Sequence, residues 1–458
     1  MPKFKKLAKV YEDNALKALQ EFVRKESTFD SKTITTGAPF GEGVKSALDY
    51  IGQLATTYGF KVDYCDGYAT EISYGEEGPL IGIYAHSDVV PATGKWSKPP
   101  FEGEVVGEGK NRKMIGRGTS DDKGPLIASL YALKLLKDND LIKGYRVRLV
   151  SGGDEERGSS CLEYYFHKLH KEDATYGFTP DADFPLIYSE KGISRSTLSK
   201  TVDLSPIVAI DGGVVSNQVC DKVVLTLPFD KEYKKHFEDN KIEGNISAAG
   251  KIMVVTFKGV SAHGSTPEKG KNAIGIAFKD LGEFYKNEFL VNMSKIIDDY
   301  NGHSFGGFVD SKDLGLTTYN YGIIKYNNGK LSLSLDFRYG ADVTESSKYL
   351  ENLAKASSMD VKLESTSPSL LFDKKSPLVS TLMKSYKRMT HRFFDKPIAI
   401  GGGTYAKEAK NTVAYGSAMN YKGHDGSIHS VDEYIYVDDL FEQIAIYADA
   451  IYSLGNLK

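Results

Sequence analysis

Between Leu80 and Glu156 three polar clusters each follow an apolar run, in the segments LIGIYAHSDVVP, GRGTSDDKGP and VRLVSGGDEERG. Apolar runs of this length, punctuated by helical patterns, read as buried strands of an α/β sheet, and the residues just past such strands collect at one sheet edge. His86, the pair Asp121-Asp122 and the pair Glu155-Glu156 are thereby directed to a common place. Few folds put a histidine and this many acids together, so the stretch constrains the rest of the chain.

The flanking patterns extend this frame. Helical periodicity covers 11–25 and 44–58, and strand patterns cover 61–64, 70–74, 79–85 and 145–150. Pro125 suits the first turn of a helix that buries Leu126, Leu130, Leu133 and Leu136, and a further helix is expected over 159–170. After about Ile187 the strands pair locally: runs at 222–227 and 251–257, then a hairpin in which Asn327-Asn328-Gly329 joins 319–326 to 330–338. Helical patterns at 272–289 and 345–357 intervene. From Ser376 the first style returns, with a helix to His391, strands at 397–400 and 412–415, and a last helix through Leu440, Phe441, Ile444 and Ile451. At 458 residues the chain exceeds what one core usually serves. The expected organisation is a discontinuous α/β catalytic domain over 1–187 and 376–458, with a mostly parallel central sheet, and an inserted α+β domain over 188–375.

Composition narrows the partners. A net charge of -3 and a pI near 6.3 offer nothing to attract nucleic acid or an anionic membrane. The three cysteines, Cys65, Cys161 and Cys220, form no CxxC, which argues against a disulfide framework or thiolate zinc site and suits a reducing compartment. The basic N-terminus turns directly into an amphipathic pattern, and no run approaches the roughly 18 apolar residues of a membrane span. A cytoplasmic location is expected.

Asp121, Glu156 and Asp181 are the acids that could act as ligands beside His86 and His429. Taken singly each has a structural explanation: Asp-Asp and Asp-Glu-Glu before helices serve as caps, and the aspartates of FTPDADFP form Asx-turns. Taken together, packed carboxylates repel one another and require protons, cationic side chains or metal. Two divalent cations would balance the three ligand carboxylates plus Glu155, as in sites whose ions stand roughly 3.5–4 Å apart. Glu155, beside a ligand yet free of metal, could take a proton from water.

The order of motifs strengthens this reading. HSDVVP, Trp96, PPF at 99–101, GRGTSDDKGP, GGDEERG, TPDADFP, SAHGSTPEKG and GGGTYA before His429 resemble, over nearly the whole chain, the dinuclear metallopeptidases of the aminoacylase, carboxypeptidase G and carnosinase superfamily. Within it the resemblance points to the peptidase V branch of bacterial Xaa-His, carnosinase-like dipeptidases. It implies a zinc-peptidase-like catalytic domain and a ferredoxin-like lid, doubled here, so that one chain supplies what smaller relatives borrow from a partner; a monomer acting on small peptides is expected. It implies two divalent ions, Zn first with Mn or Co as alternatives. His86, bridging Asp121 and Asp181 would hold one ion, and Asp121, Glu156 and His429 the other. Asp88 would accept the second ring proton of His86, Glu155 would be the general base, and the Asp121-Asp122 peptide would be cis. His263 would donate to the oxyanion from the lid, Asn217 would bind near the reacting group, and Arg338 would grip the substrate carboxylate through a bidentate pair.

Two departures from that family are visible. Lys407 stands where an arginine is usual, and a lysine lacks the planar fork. The approach to the last histidine reads AMNYKGHDGSIHS, so His424 competes with His429; the Asp432-Glu433 pair that follows at the family spacing favours His429. The same metal site would also serve an N-acyl amino acid deacylase or desuccinylase, and a chain that kept the fold without turnover would be a peptide-binding protein.

Overall fold

A computed structural model describes residues 2–457, and the chain divides into two compact units. The first contains the residues up to Tyr188, then Phe372–Ile398 and those from Thr404 onward; the second contains Ser189–Leu371 and Ala399–Gly403. The segment Ala399–Gly403, expected with the catalytic domain, thus groups with the insertion. Hydrogen bonds explain this: the Lys191 N–H donates to the Ile400 carbonyl at 3.1 Å, and the Arg338 guanidinium donates to the Gly401 carbonyl at 2.6 Å.

In the first unit the sheet runs in the order Lys61–Asp63, Ala69–Tyr74, Arg146–Gly152, Leu80–His86, Tyr176–Thr179, Thr412–Ala414. The last four strands are parallel, whereas Ala69–Tyr74 is antiparallel to both its neighbours. Leu80–His86 is buried along its whole length, as a parallel strand covered on both faces must be. Tyr84 and Val150 pack on Val44 and Leu48 of helix Glu42–Thr57. Helix Lys123–Asp138 lies against the central strands and is backed by the terminal helix Val437–Gly455. Caught between two layers, it buries Ile127, Ala128, Tyr131 and Leu135 as well as the expected leucines, so it has no wet face near its middle. The helix expected over 159–170 is instead one turn, Ser160–Glu163, followed by a π-helical turn, Tyr164–Lys168.

The second unit is built on a nine-stranded antiparallel sheet. One half is ordered Gly244–Ala249, Ile252–Lys258, Lys222–Pro228, Ala209–Gly212; the other, Asp360–Ser367, Gly192–Thr201, Lys330–Tyr339, Ile324–Asn327. The halves meet where Ala209–Gly212 pairs with Ile324–Asn327. Helix Lys231–Asp239 connects the third strand to the first in one half, and Ser346–Ser357 makes the same connection in the other. The doubling is therefore present as one continuous sheet. The expected hairpin turns at Asn328 and Gly329, whose φ values of 50° and 75° suit a two-residue turn of primed type.

Candidate metal centre

The parallel strands of the first unit deliver the site. His86 ends the central strand, Glu155 and Glu156 lie just past Arg146–Gly152, and Asp181 lies just past Tyr176–Thr179. Asp121 occupies the turn before helix Lys123–Asp138, and the Asp121-Asp122 peptide is cis. The Nε2 atom of His86 is 2.9 Å from Asp121 Oδ1 and 3.8 Å from Asp181 Oδ2. The Nε2 atom of His429 is 2.9 Å from Asp121 Oδ2 and 3.1 Å from Glu156. Asp121 thus turns one oxygen toward each imidazole. Ligand atoms of His86, Asp121 and Glu156 lie within 4.8 Å of one another, as do those of His86, Glu155 and Asp181.

The donor chemistry fits cations. His86 Nδ1 donates to the Asp88 main-chain carbonyl at 2.9 Å, which leaves Nε2 with its lone pair facing carboxylate oxygens. Two acceptors cannot face each other at that distance unless a proton or a metal lies between them. The protonation equilibria register the same demand. Loss of solvent, then the Asp181 charge, pushes Glu155 well above the usual carboxylate range, and loss of solvent, then Asp121, raises Asp181 to about 7. Glu156 is raised, first by burial. Hydrogen bonds to Asp121 and Glu156 raise His429 to about 11. Burial opposes ionisation of Asp121, but its bonds to His429 and His86 outweigh this and hold it well below the carboxylate range. Protons here stand in for the charge that divalent ions would bring.

Three details refine the expectation, one of them by departing from it. The Asp88 carboxylate is not the main partner of the His86 ring: its Oδ1 is 3.4 Å from Nδ1, while Oδ1 and Oδ2 accept from the main-chain N–H groups of Glu155 and Glu156, both at 3.1 Å. It holds the turn that carries the two glutamates. His424 is committed elsewhere, its Nδ1 2.6 Å from Asp439 Oδ2 and its ring stacked on Tyr436 at 3.8 Å, so His429 is the histidine brought to the acids. Glu433, used in the sequence only to set the register of His429, is fully buried and accepts from the N–H groups of Ser120 and Asp121.

In the second unit, Gln218 and His263 form an isolated bridge and the Gly264 N–H donates to the Asn217 carbonyl at 2.7 Å, so Asn217 and His263 are neighbours. His263 Nδ1 accepts from the Ser265 hydroxyl at 2.7 Å and the Ser265 N–H at 3.2 Å, which puts the proton of the neutral ring on Nε2. The Arg338 fork, expected to await a substrate carboxylate, already grips Asp336: Nε to Oδ1 at 2.8 Å and Nη2 to Oδ2 at 3.0 Å. Lys407 closes the short helical turn Tyr405–Lys407 in the first unit.

The model for peptidase family M20/M25/M40 matches residues 82–453. The chain belongs to this family. As an M20 peptidase it is a metallopeptidase, a hydrolase. It is 34% identical to "Putative dipeptidase YtjP" of Bacillus subtilis (strain 168), over 97% of this chain and 98% of that one. Its fold is similar to human carnosine dipeptidase 1, with a TM-score of 0.57 and 14% identity over 99% of this chain and 98% of that chain. It is also similar to the Bacillus subtilis YXEP protein, a dinuclear metal binding peptidase from the M20 family, with a TM-score of 0.55 and 9% identity over 97% of this chain and 99% of that chain. At these identities the two structures bear on the fold alone. Among the described residues no helix is long and apolar enough to cross a membrane.

Proposed function

We propose that this M20 peptidase is a dipeptidase that uses two divalent ions to hydrolyse unblocked dipeptides, with Glu155 as general base. The reading rests on one observation: the carboxylates of Asp121, Glu155, Glu156 and Asp181 meet two imidazoles at the ends of the parallel strands. His86, Asp121 and Asp181 would hold one ion, and Asp121, Glu156 and His429 the other; Zn, Mn and Co all suit this set of oxygen and imidazole donors. When bound, the ions polarise the scissile carbonyl and acidify a water.

The remaining work falls to the chain. Glu155, with its proton affinity raised by burial and the Asp181 charge, takes the water proton on its carboxylate and later passes it to the leaving amine nitrogen. Asp88 keeps Glu155 in place by accepting from its main-chain N–H. We assign to His263 the donation of Nε2–H to the oxyanion, a role its tautomer permits. Asn217 would help hold the reacting carbonyl, and Arg338, oriented by Asp336, would offer the substrate carboxylate those N–H groups that Asp336 and Gly401 leave over.

Metal-stripped protein re-supplied with Zn or Mn and given a panel of dipeptides, each with its N-acetylated form, tests the reading. Metal-dependent cleavage of the unblocked peptides is expected. Preference for the acetylated forms would make the protein an N-acyl amino acid deacylase or desuccinylase, and two bound metals without turnover would make it a peptide-binding protein. Turnover that survives Glu155→Ala at full metal content would remove Glu155 from its role.

A further inference from the structure

We propose that Glu433 is a positioning residue that registers the His429 loop against the Asp121 turn, with Arg117 as its counter-ion; the proposal rests on the two-metal reading above. The loop bearing His429 is closed at its base where the Tyr434 N–H donates to the Gly426 carbonyl at 2.9 Å. Beyond that base, Tyr434–Tyr436 pairs antiparallel with Lys113–Ile115, and the Gly116 N–H donates to the Glu433 carbonyl at 2.9 Å. This ladder delivers the Glu433 side chain to the Asp121 turn, where Oε1 accepts from the N–H groups of Ser120 at 3.0 Å and Asp121 at 3.2 Å. The other oxygen, Oε2, accepts from Arg117 Nη1 at 2.6 Å, so a carboxylate with no solvent exposure keeps its charge balanced. The Ser120 hydroxyl adds a bond to the Tyr434 carbonyl at 2.6 Å.

The consequence is geometric. Asp121 and His429 are the two residues whose separation decides whether one ion can be held between them, and they come from segments far apart in the chain. One anionic acceptor joins the main chain of the first to the base of the second. Hydrogen bonds to a charged acceptor are the stronger kind, and the bonds to Ser120 and Asp121 fix the direction in which the Asp121 side chain leaves the backbone. Asp88 does the same for the opposite wall through the N–H groups of Glu155 and Glu156. Both acid-bearing turns are thus set by a carboxylate that takes two successive main-chain N–H groups.

The full-length chain with Glu433→Gln and Glu433→Asp tests this. Gln removes the charge facing Arg117; Asp keeps it but is one methylene too short to reach Arg117 and both amides together, and it carries the test if the Gln variant fails to fold. Hydrogen exchange of the metal-free proteins should show faster exchange at Ser120 and Asp121, by roughly tenfold or more, against little change elsewhere in the first unit. Titration with Zn or Mn should show at least one metal equivalent weakened by roughly 10- to 100-fold, the usual cost of losing a group that orients a ligand. Unchanged exchange at these two amides, or uniform acceleration throughout the unit, overturns the proposal. Wild-type protein that takes up no divalent ion would overturn the two-metal reading instead, and the exchange result would still decide the role of Glu433.

Discussion

Asp336 and Asp181 are acids beside the residues proposed to act in the two units, and their surroundings differ in kind. Asp336 is fully buried, and each of its oxygens accepts from the Arg338 guanidinium two residues along the same strand. Asp181 meets Asp121, Glu156 and Glu155, with the His86 nitrogen 3.8 Å away as its nearest basic group. The second unit carries its charge balance in its own side chains. The first leaves its balance open, to be completed by something the chain does not encode. Under the two-metal proposal the two arrangements would be complementary, a firm frame for substrate and a charge deficit for the ions to fill.

The largest effect expected on the open side is at Glu155. Glu155→Gln keeps the shape and removes the base, so kcat should fall by about 10²- to 10⁴-fold while metal content, read by elemental analysis, stays at the wild-type value. A parallel loss of metal would make Glu155 a ligand, a result its nearness to His86 and Asp181 makes worth checking. Next comes a pair of changes with opposite signs. Asp336→Ala strands a buried guanidinium and should cost about 3–5 kcal/mol in urea unfolding, whether or not metal is present. Asp181→Asn removes one repelling charge, so it should raise the melting temperature of metal-free protein and lower that of metal-loaded protein. Destabilisation of the metal-free protein by Asp181→Asn would break the contrast between the units.

Much of the first unit could be read in advance because parallel strands announce themselves as apolar runs and their ends announce the site. His86, Glu155, Glu156 and Asp181 all follow that rule. Glu433 does not: it acts on amides 312 and 313 positions away, and no local pattern records a side chain capping a distant turn. Asp88 stands out two residues after His86, but its carboxylate serves the glutamate turn more than the imidazole, because a histidine at the end of a strand has a main-chain carbonyl closer to hand. The Arg338 pairing does have a local signal. In LDFRYG, Asp336 and Arg338 sit at alternate positions of one strand and therefore on one face of the sheet, where opposite charges meet. The reach of the insertion to Ala399–Gly403 could not be seen, since it depends on carbonyls accepting from Lys191 and Arg338 in a distant part of the chain.

The smallest expected effect distinguishes the open site from the balanced one by pH. Asp181 has a folded pKa of about 7 against 3.8 in the open chain, so between these values the native state holds a proton that the unfolded chain has released. Its contribution is therefore complete below 3.8 and is lost as pH rises from there through 7. His429, raised from 6.5 to about 11, has the same sign: its contribution is complete below 6.5 and is lost as pH rises through 11. Metal-free protein should lose stability across both windows as pH rises. Bound metal reverses the trend, because its ligands must be deprotonated and its hold improves with pH. The difference in melting temperature between metal-loaded and metal-free protein should then widen from about pH 5 to about pH 9. A gap that stays constant would mean that protons are not occupying the place of the ions. In Asp336→Asn the gap should widen just as in the wild type, since the Asp336–Arg338 pair lies in the other unit, apart from the acids and imidazoles that would hold the ions.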